Sequence, residues 1–331
     1  MNEIEELSRI VLKFINNPAY LATGAGKLAE AFKTTPDVVR EAKAYIYSRY
    51  SFKGNVRDIT KDTVLISNKA RTRGTIQAKV LLLDIETAPI LAAIWKLWKQ
   101  SVATHQVMEE WFILSYAAKW LYSDKVISNV LSPEEAKSQD DSKLVKELRE
   151  LLDEADVIIT YNGINFDVPK INTRMLYYNL DIPSMYSHID LLKTMRQQFK
   201  FSSNKLDYVN KSLSLDSKDS VDMQVWLDCY AGKEEALDEL CRYNEKDVLI
   251  LEDLYVRVRQ WIKGHPNLTL FSEEIDKKCG VCGSRDLKPE GYSITAVGKY
   301  PVYRCNSCKS LLRGRKTVLS KEENKKLLKT N

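Results

Sequence analysis

The sequence predicts an α/β protein. Residues 80–84 and 156–161 are short, apolar stretches that carry acid at an end, as strands of a central sheet covered on both faces would. Between and after them run segments with apolar residues at helical spacing, such as 142–152 and a long stretch beginning near Glu234. Two Cys-x-x-Cys pairs near the C-terminus set that part of the chain aside as a metal-binding module.

The chain of 331 residues is 44% hydrophobic and 29% charged, and no apolar run approaches the roughly 20 residues needed to span a bilayer. Its first dozen residues are acidic and amphipathic, unlike a signal peptide, so the expected location is cytoplasmic, or the host cytoplasm if the protein is phage-encoded. The formal net charge of +5 is uneven: from Lys277 onward there are 14 Lys or Arg against 4 Asp or Glu, which leaves the preceding part slightly acidic. A basic arm suits a phosphate-rich partner, and it equally suits a solvated tail kept soluble by charge.

In chain order, residues 3–15 carry Ile4, Leu7, Ile10, Val11, Phe14 and Ile15 at helical spacing, and Asn16-Asn17-Pro18 stops them. A second helix over 27–32 meets the turn Lys33-Thr34-Thr35, and Thr35 then caps a third over 37–47 with Pro36 at its first position. Short helix, tight turn and second helix are the geometry of a helix-turn-helix, with Arg40 and Lys43 candidates to face a phosphate backbone. A partner-docking three-helix bundle fits the same pattern. Residues 51–78 lose the helical period, gain Lys53, Arg57, Lys61, Lys69, Arg71 and Arg73, and read as a basic linker with a short strand at 63–66.

The strand at 80–84 leads into Asp84-Ile85-Glu86. On an extended chain residues two apart share a side, so both carboxylates project together. Such a pair repels unless a cation lies between, and hard oxygen ligands suit Mg²⁺ or Mn²⁺; alternatively Asp84 caps a turn and Glu86 is solvated. Residues 90–98 read as a helix, 110–120 and 125–130 as strands, and Ser132 as the cap of the next helix. After the strand at 156–161, Asp167 either caps the helix that Pro169 begins or sits at the working edge of the sheet. Asp190, in His188-Ile189-Asp190-Leu191-Leu192, is another acid among apolar residues. Helical segments follow at 204–213 and 221–230. The last helix begins near Glu234, ends before Gly264, and sets Tyr243 and Asp247 four apart on one face, as a buried tyrosine bonding across a turn would also be.

Cys279-x-x-Cys282 and Cys305-x-x-Cys308 are separated by 22 residues and read as one tetrahedral Cys₄ site for a structural Zn²⁺, complete without an open position. Gly280 and Gly283 suit the tight turns. Lys288, Lys299, Tyr300, Tyr303 and Arg304 around the site mix charge with aromatic rings, as in a nucleic-acid-binding zinc ribbon, with protein docking the other use. Cys229 and Cys241 lie in apolar helices and are expected as buried thiols.

Taken together, Asp84-x-Glu86, Asp167 and Tyr243-x-x-x-Asp247 resemble the three motifs of the DEDD superfamily of 3'–5' exonucleases, whose fold is a ribonuclease H-like mixed sheet flanked by helices. Tyr161-Asn162-Gly163-x-x-Phe166-Asp167-x-Pro169 is similar to the second motif of the proofreading domain of family-B DNA polymerases. His188-Ile189-Asp190-Leu191-Leu192 resembles stand-alone YprB-type proteins, including exonucleases of phages and prophages. The resemblance covers about residues 79–262. In the His subclass the base stands five residues before the last Asp, a position held here by Arg242, whereas Tyr243 stands four before it and matches the Tyr subclass.

The resemblance implies that Asp84 bridges two Mg²⁺ or Mn²⁺ ions, that Glu86 and Asp247 complete one site, that Asp167 holds the second through water, and that Tyr243 orients the attacking water. The implied substrate is nucleic acid, DNA in preference to RNA, with replication or repair proteins as partners and no membrane. A structure-specific endonuclease or ribonuclease could use the same centre, and a nucleic-acid-binding regulator could carry it as a vestige. The expected organisation is a helix-turn-helix-like module at 1–50, a linker at 51–78, the exonuclease domain at 79–263, a zinc ribbon at 275–318 and a basic tail at 319–331.

Overall fold

A computed structural model describes residues 78–328, apart from 97, 99–100, 217–220 and 273–275, and in the N-terminal part residues 10, 13, 25–35, 38, 39 and 42. The chain divides into two compact units, one over residues 77–267 and the other combining 1–76 with 268–331. No described helix is long and apolar enough to cross a membrane.

The unit over 77–267 is built on a five-stranded mixed sheet. Its strands are β1 (Val80–Thr87), β4 (Ile113–Trp120), β5 (Val126–Val130), β6 (Val157–Thr160) and β7 (Ser187–Asp190), in the order β5-β4-β1-β6-β7. β4 and β5 run antiparallel to their neighbours, while β1, β6 and β7 are mutually parallel. The most apolar runs, Val80–Leu83 and all of β6, occupy the two adjacent central strands and are buried on both faces, which is why they show no polar alternation.

The pleat divides β1 between two layers. Leu81, Leu83 and Ile85 enter a core with Leu144, Val145, Leu148 and Leu152 and with Ile171 and Met175. The first four belong to α3 (Ser142–Glu154) and the last two to α4 (Asp167–Tyr177). Asp84 and Glu86 have the opposite parity, and the 25-residue helix α8 (Glu234–Val258) packs against β1, β4 and β5. The other helices are α2 (Pro133–Ser138), α5 (Leu191–Gln198), α6 (Leu206–Ser212) and α7 (Met223–Tyr230). Ser132 caps α2 as expected: its side chain accepts from Glu135 N while the Glu135 carboxylate accepts from Ser132 N.

Two expectations for this unit are corrected. β1 does not end at Asp84 but continues through Glu86 to Thr87, because β4 pairs alongside it through Thr87↔Ile113, with a register shift between Glu86 and Thr87. Glu86 therefore lies in the strand with Asp84, not beyond it. The described residues of 90–98 form no helix: β2 (Leu91–Ala92) pairs antiparallel with β3 (Val107–Glu109) in a small hairpin, and Ala88 N donates to Phe112 O at its base. Ile90, Ile94, Trp95 and Trp98 are all exposed, so a helix here would have no surface on which to bury its apolar side, and short helices depend on such burial. β4 correspondingly begins at Ile113, three residues after the expected start.

In the second unit, α1 (Ala25–Phe32) ends at Lys33, whose φ of 54° turns the chain, and Val38 N donates to Thr35 Oγ1 in the expected cap. Ile10, Leu28, Phe32, Val39 and Ala42 are buried, as packed helices require. The rest of the helices expected at 3–15 and 37–47, Arg40 and Lys43, and the linker at 51–77 lie outside the described residues. The C-terminal part is a three-stranded antiparallel sheet of β8 (Leu287–Thr295), β9 (Gly298–Cys305) and β10 (Leu311–Arg313), in the order β10-β9-β8. A short helix, α9 (Lys321–Lys325), follows, with Ser320 and Glu323 forming its capping box.

Candidate active site

Strand and helix together assemble an acidic centre. Asp84 and Glu86 project from one side of β1, and Asp247 comes down from α8 onto the same side. Carboxylate oxygens of these three residues lie within 4.8 Å of one another. Asp247 is buried and the other two are half-buried. Three anionic groups this close repel in the absence of a cation, and hard oxygen donors are the ligands that Mg²⁺ and Mn²⁺ prefer. Two oxygens on one such ion stand at most about 4.2 Å apart for bonds near 2.1 Å. Cis oxygens stand about 3.0 Å apart, so the three side chains would close in around an ion, and the donor set fits the group.

Neighbours that the sequence reading missed hold these carboxylates in place. Asn244, fully buried one turn before Asp247, donates from Nδ2 to Asp84 Oδ2 at 2.6 Å. Its Oδ1 accepts from Ser115 Oγ at 3.3 Å, and Ser115 is the β4 residue directly opposite Glu86. Trp226, on α7, donates from Nε1 to Glu86 Oε2 at 3.3 Å and sets its ring edge-on to Tyr243, with centroids 6.0 Å apart. Asn244 could have been noticed in the sequence, since it lies inside the Tyr243-to-Asp247 interval with helical spacing to Asp247. Ser115 and Trp226 carried no comparable signal.

Asp167 falls outside the close group of three but touches the same strand: its Oδ1 accepts from Ile85 N at 3.1 Å. It is the first residue of α4, and no side-chain cap bond is made at that helix start. Burial pushes its carboxyl up to about 7, against the opposing pull of the Ile85 N–H. Lys170, one turn on, donates to Thr87 Oγ1 and lies 3.8 Å over the Trp111 ring, which brings a cation to the end of β1. Burial lowers its pKa.

The loop before Asp167 follows from a few residues. Asn162 takes φ of 73°, a left-handed conformation that asparagine tolerates better than most residues. A Cβ on Gly163 would come within 2.3 Å of Thr160 Oγ1, so no larger residue fits there without displacing Thr160. Asp190 fastens the turn, accepting from Asn162 N at 3.0 Å and Ile164 N at 3.2 Å while capping α5 through Lys193 N. Asp190 thus acts as a scaffold. Tyr243 lines a cavity of about 580 Å³ with Tyr161, Asn162, Arg196, Asn204 and Asp207.

The four cysteine thiols converge in the other unit. Cys279 Sγ lies 3.5 Å from Cys308 Sγ, and Cys282 Sγ 3.6 Å from Cys305 Sγ. Four sulfurs around Zn²⁺ at about 2.3 Å would stand about 3.8 Å apart, so this buried set fits one tetrahedral ion. The two knuckles repeat one hydrogen-bond pattern: Gly283 N donates to Cys279 O, and Lys309 N to Cys305 O. Gly283 and Lys309 both have positive φ, 70° and 66°, whereas Gly280 does not, so only one of the two expected glycines is needed for the turn. Cys229 is buried and Cys241 partly so.

Residues 115–259 match the family model of the RNase H superfamily. The central sheet unit has a ribonuclease H-like fold. The matched stretch contains Asp167, Tyr243 and Asp247 and begins after Asp84 and Glu86. Among solved structures, the family B DNA polymerase from the hyperthermophilic archaeon Pyrobaculum calidifontis is similar, at 16% identity and a TM-score of 0.43, over 60% of this chain and 27% of that one. The chain thus spans about a quarter of that polymerase. No curated protein matches it.

Proposed function

We propose that the protein is a metal-dependent 3'–5' exonuclease of the DEDD type, Tyr subclass, acting on nucleic acid and on DNA in preference to RNA. The observation that carries this reading is the convergence of Asp84, Glu86 and Asp247 on one side of a ribonuclease H-like sheet. Asp84, Glu86 and Asp247 would hold divalent ions, with Asp167 contributing beside them. Bound there, Mg²⁺ or Mn²⁺ would activate water and neutralise charge building on the phosphodiester. The chain's own groups set the geometry: Asn244 fixes the orientation of Asp84 and Trp226 that of Glu86, and Tyr243, its ring edge-on to Trp226, would position the attacking water.

The Cys₄ site, packed beside a three-stranded antiparallel sheet that carries Tyr300, Tyr303 and several basic residues, supports a zinc ribbon that binds the nucleic-acid backbone. The helix α1, its turn at Lys33 and the Thr35 cap support a helix-turn-helix-like accessory module.

Polarity and mode are read together on a 5'-labelled single strand and on a circular single strand with Mn²⁺. Stepwise shortening of the labelled strand with the circle intact is expected. Cleavage of the circle would replace the exonuclease with an endonuclease, and inertness toward both DNA and RNA would favour a regulator with a vestigial centre.

A further inference from the structure

We infer that the hairpin excursion between β1 and β4 is a stacking platform for unpaired bases of the strand being degraded, with Trp95 and Trp98 as its contact surface. Trp95 is 94% exposed and Trp98 82% exposed, and Ile94 and Met108 of the same excursion are also exposed. An exposed indole leaves on the order of 200 Å² of mostly apolar surface in water, which is costly without a partner.

Charge and connection both select that partner. In sequence, residues 93–106 contain Lys96, Lys99 and His105 and no Asp or Glu, and each tryptophan is followed directly by a lysine. Alternating indole and ammonium groups suit a base followed by its phosphate, because every base offers a π-face and every linkage a negative charge. The base of the excursion is the Ala88 N to Phe112 O hydrogen bond, two residues past Glu86 on the strand that carries Asp84. The excursion thus leaves the sheet at the end of the strand that carries Asp84 and Glu86. An apolar protein surface would use the indoles but not their alternation with lysines, and an anionic membrane would use both, so binding to phosphatidylserine vesicles that Trp95→Ala and Trp98→Ala abolish while oligothymidylate affinity is unchanged would overturn the platform.

This inference rests on the nuclease reading for its substrate, and its test separates the two. Binding of a fluorescent 20-nucleotide oligothymidylate and of an abasic strand of the same length is measured with full-length Asp84→Ala protein, alone and combined with Trp95→Ala and Trp98→Ala. The oligothymidylate should bind more tightly than the abasic strand. Each alanine should weaken oligothymidylate binding about tenfold and leave abasic binding nearly unchanged, while Trp95→Phe should retain most of the affinity. In otherwise wild-type protein, the same alanines should leave hydrolysis of the small substrate thymidine 5'-(p-nitrophenyl phosphate) unaltered and raise KM on the long strand. Equal oligothymidylate affinity in the double alanine variant would overturn the platform even if the small substrate is cleaved. So would a shift from dimer to monomer with affinity unchanged, which would assign the surface to a second copy of the chain. Failure of wild type to cleave the small substrate would count against the nuclease and leave the binding comparison to decide the platform.

Discussion

Asn244 donates to Asp84 and accepts from Ser115, so one buried amide couples the metal-facing strand to its neighbour and to α8. Groups that orient metal ligands in this way typically cost ten- to a hundredfold in affinity or activity when lost. Asn244→Ala is accordingly expected to weaken Mn²⁺ binding by about that factor while the far-ultraviolet spectrum stays unchanged; a titration followed by calorimetry checks it. Asp167 gives a pH signature. Its folded pKa of about 7 lies above the ordinary 3.8, so the fold favours the protonated form. That contribution to stability is complete below about pH 3.8 and is lost as pH rises through about 7. Without added divalent ions, Tm should therefore fall between pH 5 and pH 8 more steeply in wild type than in Asp167→Asn, and parallel curves would refute the assignment. Asp84 and Glu86 were legible because a spacing of two on a strand puts them on one side, whereas Asp167 and Asp247, each open to a structural reading alone, were singled out by the resemblance of all the acids taken together. Asn244 and Trp226 were not, since their role exists only once α7 and α8 fold back on β1.

At the scale of elements, the junction of β4, α3 and α4 is held by one fully buried carboxylate. Asp141 accepts from Ile113 N at 2.8 Å, from Arg174 Nε and Nη2 at 2.9 and 2.5 Å, and from the Tyr178 hydroxyl at 2.6 Å. Removing one partner of a buried ion pair leaves the other uncompensated, so Asp141→Ala should cost roughly 3–5 kcal/mol in urea unfolding. A loss below about 1 kcal/mol would mean that Arg174 finds another partner. The sheet strands and the long helix were readable because their periodicity is set by burial within the unit. The excursion at 88–112 was misread for the converse reason: Ile90, Ile94, Trp95 and Trp98 have helix-like apolar density but nothing within the described residues to cover them. The end of β1 was also missed, because acids inside a strand break an apolar pattern even when cross-strand pairing continues.

At the scale of the whole molecule, charge and metal chemistry are segregated along the chain. The stretch from Lys277 onward holds 14 Lys or Arg against 4 Asp or Glu. Deleting residues 277–331 should weaken nucleic-acid binding and flatten its dependence on salt, because fewer counterions are released; an unchanged slope would show that the basic module serves another partner. Cys305→Ser should release one equivalent of zinc, measured by metal analysis, and leave the divalent-ion dependence of hydrolysis intact. The most direct test is turnover of a 5'-labelled oligonucleotide against Mn²⁺ concentration in wild type, Asp84→Ala and Asp247→Ala. The convergence of these carboxylates predicts saturable Mn²⁺-dependent hydrolysis in wild type and a loss in both variants beyond the hundredfold expected for a supporting residue, with the fold retained because carboxylate repulsion is relieved. Hydrolysis in Asp84→Ala that matches wild type at every Mn²⁺ concentration would place the chemistry elsewhere.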